Sequence, residues 1–405
     1  MARMRRIFFN RLLVCGVISL VFLPVSNVLA SIPIGEAELT PSLTINYGST
    51  DNVFREAENT ENSSGVVVSP ALSYKATRRL LSLEAAYKGS FGQFSEAAAN
   101  FNDHSLSFRS DAEISSKHRA SLSFFINKFH EGLGLGQTRD SDERQGEQIE
   151  SLTTQLAGSH TYGSVGAKGN VRIGLAIKST NFSNLEELTE GDDQLVVTPS
   201  IAFSYGVSLD TRIVSELRIS QLNFDDDLRD RIQISALLGL EFQPTGKLGG
   251  AASVGIVEAS YANAEVSDAN NLIVEIDMNF QPLSYSEIAV TYTRGLETLE
   301  NNGLGSLSTI RDSAKVDWTH QWSGRFSTTT GLNVEAVARE CPLLDTTELE
   351  STISLNYQAR RWLEFGIGGS LSSRDTSSCV SDGVVVDSTN DFDRTTYSVQ
   401  VKATF

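Results

Sequence analysis

Beyond residue 30 the sequence holds no apolar run near the eighteen residues that a membrane-crossing helix needs, so none is predicted there. Cysteine is scarce, with three in 405 residues. Basic charge is scarce too: 33 Lys and Arg stand against 50 Asp and Glu, a formal charge of −17. An acidic balance of this kind excludes nucleic acid as a partner. No G-x-S-x-G elbow occurs. His104, His118, His130, His160 and His320 are scattered over separate strands and turns, with no Ser/His or Asp/His set that strand phase would assemble. The acidic stretches Asp140-Ser-Asp-Glu143, Glu190-Gly-Asp-Asp193 and Asp225-Asp-Asp227 lack calcium-loop spacing and read as solvated loops. No enzyme, catalytic residue, cofactor or metal site is therefore expected.

The first thirty residues differ from the rest. Arg3, Arg5, Arg6 and Arg11 precede an apolar run from Leu12 to Leu23, and Val28-Leu-Ala30 offers a small-residue cleavage site. This is the layout of a secretory signal peptide. The run is too short for a span, and Val14 before Cys15 is too large for a lipoprotein site. Cleavage after Ala30 removes four arginines and no acids, taking −17 to −21. Two cysteines then remain, Cys341 and Cys379. An even pair in an exported chain points to a disulfide, with two unpaired thiols as the alternative.

From Leu39 onward the text alternates. Leu39, Pro41, Leu43, Ile45 and Tyr47 alternate with Thr40, Ser42, Thr44 and Asn46; Leu272, Val274, Ile276, Met278 and Phe280 alternate with Glu275, Asp277 and Asn279. The last residues follow the same rule, with Tyr397, Val399, Val401, Ala403 and Phe405 on one face and Ser398, Gln400, Lys402 and Thr404 on the other. Period-2 alternation gives strands with one apolar face and one polar face. Segments of about ten residues predict eighteen strands, with sixteen as the alternative count. Short turns follow the even strands and longer acidic or glycine-rich loops the odd ones. The prediction is an all-β, antiparallel, up-and-down transmembrane barrel over residues 31–405, because a closed barrel is the one alternative to helices in lipid. Its short turns are expected in the periplasm with both termini, and its long loops outside, facing lipopolysaccharide. Trp318, Trp322 and Trp362 beside short turns, and Tyr47, Phe91, Tyr261 and Tyr292 toward the long loops, predict two aromatic girdles.

The polar face carries charges of both signs, among them Arg109, Arg172, Arg212, Arg218, Arg231, Arg311, Glu275 and Asp277. A dry core does not hold so many ions, whereas a wet lumen does. The six arginines can be read as a ladder for carboxylate- or sulfate-bearing sugars, or as cross-strand partners of the many acids; the second reading is the stronger.

Three segments carry a family likeness: Leu39-Thr-Pro-Ser-Leu-Thr-Ile-Asn-Tyr47, then Asp51-Asn-Val-Phe-Arg55, then Val68-Ser-Pro-Ala-Leu-Ser-Tyr74. They resemble the outer-membrane β-barrel porins of exopolysaccharide and exosortase gene clusters. The closing strand, ending on Phe405, also resembles the C-terminal signature by which outer-membrane barrels are closed. The first resemblance implies a barrel helping a secreted polysaccharide across the outer membrane, beside a periplasmic export protein. The second implies Tyr397–Phe405 pairing with strand one and meeting the barrel-assembly machinery. A diffusion porin and a plugged structural barrel are the alternatives that the residues leave open.

Overall fold

The computed structural model describes residues 31–136, 146–263, 267–297, 309–338, 345–377, 379–381, 384–386 and 391–405. The chain forms eighteen long strands. The first six are β1 (Ala37–Thr50), β2 (Ser63–Arg78), β3 (Leu81–Phe94), β4 (Phe101–Ser115), β5 (His118–His130) and β6 (Glu150–Tyr162). Next come β7 (Gly169–Phe182), β8 (Gln194–Gly206), β9 (Thr211–Phe224), β10 (Arg231–Thr245), β11 (Leu248–Tyr261) and β12 (Ala269–Leu283). The last are β13 (Ser286–Glu297), β14 (Thr309–Gln321), β15 (Phe326–Ala338), β16 (Thr346–Arg360), β17 (Leu363–Thr376) and β18 (Phe392–Thr404). Each pairs antiparallel with its chain neighbours, and β18 pairs with β1 from Ser42↔Thr404 to Thr50↔Thr396. The sheet therefore closes, and the expected count of eighteen holds.

Closure removes the unpaired edges that make open sheets sticky. The seam is finished at both ends. At the short-turn end β18 stops before reaching Ala37–Leu39, and a three-residue strand, Ile32–Ile34, folds back through Gly35 (φ +66°) to pair there. At the other end Thr395 N–H donates to Asp51 Oδ1 at 2.7 Å, and Asn52 Nδ2 donates to the Asp393 carbonyl at 3.0 Å.

The alternation sorts the two faces. Ile201, Leu238, Ile256, Ile353 and Tyr397, among many apolar side chains, are half to two-thirds exposed around the outside. A continuous apolar belt of this kind suits lipid, not water. At the short-turn end Trp318 Nε1 donates to Ser286 Oγ and Trp322 Nε1 to Thr328 Oγ1, each at 2.9 Å, with the His320 ring packed at a tilt against both. Their polar ends are satisfied while the rings stay apolar. Tyr261, expected in the opposite girdle, belongs inside: it shares its strand face with buried Val257 and Ala259, and the Arg231 guanidinium lies 5.7 Å from its ring centroid.

The loop asymmetry is real but uneven. Loops 51–62, 131–149 and 377–391 are long, and turns such as 79–80 and 361–362 have two residues. Loops 95–100 and 225–230, however, match the six residues of turn 163–168 on the opposite rim. The strand over Leu248–Tyr261, where small residues occupy both faces, is as regular as its neighbours. A Cβ on Gly255 would meet the Ala236 carbonyl at 2.1 Å, so glycine permits the close approach of β10 and β11 there. Both cysteine positions fall short of a test: Cys341 lies outside the described residues, as does the side chain of Cys379.

Candidate functional site: the lumen

Contacts between strands that are not neighbours identify the concave face. Arg218 on β9 donates to Glu275 on β12 at 2.5 Å, and Arg172 on β7 stands 3.8 Å from Glu241 on β10. Side chains converge across intervening strands only on the inside of a curved sheet, so the charged face is the lumen.

The sequence-predicted arginines do not form one ladder. Arg109 makes a bidentate pair with Asp111, at 2.7 and 3.0 Å. Arg218 is shared between Glu216 and Glu275, and Arg311 pairs with Glu335. Arg231 is buried under Tyr261. Asp277 lines a second recess beside Arg212 and Glu241. Arg172 and Arg212 alone of the six share a cavity, at the short-turn end. Half-exposed pairs of this kind are worth about 0–1 kcal/mol each, so they set the lumen's field more than its stability. Arg218→Gln is accordingly expected to leave folding intact and, by uncovering Glu216 and Glu275, to shift the reversal potential under a salt gradient toward cations. An unchanged reversal potential would place Arg218 outside the ion path.

The opposite end holds a feature that strand phase did not reveal. Loops 51–62, 95–100 and 131–149 meet in an apolar knot of Val53, Ala98, Ala99 and Leu133, with Phe54 and Phe94 against it. Arg55 donates to the Leu133 carbonyl at 2.6 Å, and Arg374 on β17 donates to the Gly134 carbonyl at 3.0 Å and to Glu348 at 2.8 Å. Loop 131–149 follows β5, while β17 lies six strand positions away around the ring. The loop segment Glu131–Leu135 therefore reaches across the mouth and narrows it. Asn52, 1% exposed, braces this clasp by donating to the Glu56 carbonyl and accepting from Glu56 N–H. Arg55 holds a left-handed backbone (φ 57°), a costly conformation for a residue other than glycine. Burial first, and then the charges of Arg394 and Arg374, lower its pKa to about 9, which leaves it charged at neutral pH. The segment Asp51-Asn-Val-Phe-Arg55, read in the sequence as a family signature, is thus a clasp. The audible signal was Val53-Phe54, an apolar pair inside a polar loop.

Two other expectations need correction. The acidic loops are not simply solvated: buried Arg229 of loop 225–230 pairs with Asp192, itself 4% exposed, and approaches Asp226 at 3.6 Å, tying two loops together. Asp140–Glu143 lie outside the described residues. Strand pairing also does assemble an Asp/His set, with His130 Nδ1 2.8 Å from Asp103 Oδ1. The His130 ring stacks on Phe101 at 4.0 Å, which gives the pair a packing role at the β4–β5 rim.

A closed eighteen-strand barrel with a charged lumen fixes what the chain can be compared with. The family model described as Putative beta-barrel porin 2 matches residues 30–405. The chain belongs to that family. It is an outer-membrane, porin-like β-barrel. Among solved structures it is similar to a BenF-like porin from Pseudomonas fluorescens Pf-5 (13% identity, TM-score 0.49, covering 92% of this chain and 100% of that one). It is similar also to the outer membrane protein opdK from Pseudomonas aeruginosa (12%, 0.46, 91% and 99%) and to OccAB4 from Acinetobacter baumannii (12%, 0.46, 91% and 98%). No curated protein matches it in sequence.

Proposed function

We propose that this porin-like barrel is a non-enzymatic channel that carries a secreted polysaccharide across the outer membrane. Its short turns and both termini face the periplasm, where it receives polymer from a periplasmic export protein; its long loops face lipopolysaccharide. The observation that supports this reading is the short-turn end of the lumen, a wide recess lined mainly by arginines, hydroxyls and carboxylates. Such a lining suits a hydroxyl-rich chain, which needs many weak polar contacts and slides between them. A diffusion porin for small solutes is the second reading, favoured by the paired charges along the lumen. The experiment is a deletion strain assayed for secreted and intracellular polymer. Loss of secretion with intracellular accumulation is expected, and normal secretion would defeat the export reading. Restoration by the wild-type chain completes the test.

A further inference from the structure

Positive charge gathers at the short-turn end of the lumen of this acidic protein. A cavity of about 650 Å³ on the lumen wall at the short-turn end is lined by Arg78, Arg79, Arg119, Arg172 and Arg212. Its carboxylates are fewer: Asp111, Glu113 and Glu241. Arg78 pairs with Glu36 at 3.1 Å and Asp111 is engaged by Arg109, while Glu241 stays 3.8 Å from Arg172, beyond hydrogen-bonding reach. Arg79, Arg119, Arg172 and Arg212 therefore carry the cavity's unneutralised charge. Further along the lumen the pattern differs, since Arg218 and Arg311 are each neutralised by close acids.

Two of the five arginines build the cavity. Arg119 donates to the Gly163 carbonyl and Arg212 to the Ala167 carbonyl, so both grip turn 163–168 and fold it toward the lumen. Asn170, with its amide turned to suit its neighbours, accepts from Arg212 at 2.7 Å and donates to Ser164. Donors remain after this work. Arg119 Nε is buried with no acceptor, and Arg79 has no hydrogen-bond or ion-pair partner among the described residues. Ser121, Ser159, Thr161 and Ser204 supply hydroxyls between the guanidinium groups, and Val165 offers an apolar tip.

We propose that this cavity binds a segment of acidic oligosaccharide, a chain whose sugar rings carry carboxylates. Guanidinium groups match carboxylates with two parallel hydrogen bonds, and hydroxyls match the ring hydroxyls. The volume lies within the range of pockets that enclose ligands larger than a lone inorganic anion. The site rests on the export reading for the ligand's origin, and on its own residues for the ligand's charge.

The test is calorimetric titration of the detergent-folded full chain with tetragalacturonate and with neutral maltotetraose. Tetragalacturonate is expected to bind and maltotetraose to bind at least about tenfold more weakly, with the difference shrinking as salt screens the arginines. Arg79→Gln with Arg172→Gln should weaken tetragalacturonate about tenfold, because both lose charge without disturbing the grip on turn 163–168. Glu113→Gln should tighten it, and Arg311→Gln, outside the cavity, should leave it unchanged. Equal binding of the two sugars, or tetragalacturonate binding indifferent to the double substitution, overturns the proposal. The deletion strain separates the two readings: normal secretion beside arginine-dependent binding sinks export and leaves the site standing, and the converse sinks the site alone.

Discussion

Arg55→Ala combined with Arg374→Ala is expected to raise single-channel conductance roughly two-fold, by releasing the segment Glu131–Leu135 from the mouth. Both side chains hold backbone carbonyls of that segment, at Leu133 and Gly134. The backbone ladder of the barrel wall is independent of them, since its strands are paired on both edges around the whole ring, although Arg374 also bonds Glu348 and packs on Phe392. A rise in conductance from lost charge alone is a competing explanation, and Gly134→Ala separates the two. Gly134 adopts φ +69°, and a Cβ there would meet the Phe54 carbonyl at 2.3 Å. That substitution breaks the clasp without touching a charge, so it should reproduce most of the increase. Both variants at wild-type conductance would mean that the clasp does not narrow the path.

What the sequence made legible follows from how each feature is written. Wall strands repeat a two-residue period over ten or more positions, so the count, the pairing of β18 with β1 and the inward face of Arg218 and Glu275 are all phase arguments. Phase fails where the chain leaves the wall. Val53, Leu133 and Ala98 come from three separate loops, and no local period reports that they meet. Tyr261 was misplaced for a related reason: its strand has small residues on both faces, so phase there is nearly silent. The arginines followed the stronger of their two readings, pairing with acids at Arg109, Arg218 and Arg311, but where along the lumen each would sit was not legible. Phase places a side chain inside but says nothing of its height or partners, and Arg78 and Arg79, near and in a turn, have no phase that counts. Their meeting with Arg172 and Arg212 needs the closed ring.

Deleting Phe405 is expected to cut the amount of folded barrel in the outer membrane several-fold, while barely changing the stability of what does fold. The final structure loses little: the Phe405 N–H donates to the Pro41 carbonyl at 2.8 Å, one backbone hydrogen bond at the rim. Such a bond contributes about 1 kcal/mol. The remaining seam from Ser42↔Thr404 to Thr50↔Thr396 stays paired, and Asp51 and Asn52 still pin its far end. A large effect would therefore have to arise before closure, while β18 is still unpaired, and Phe405 is expected to act at that step. Heat-modifiable gel mobility measures the folded fraction, and its loss on heating measures stability. A drop in amount with an unchanged unfolding temperature supports a recognition role, and secretion should fall less than insertion. A matched fall in both would instead make Phe405 a structural anchor of the seam. Wild-type levels of heat-resistant barrel would show that closure begins without the terminal residue.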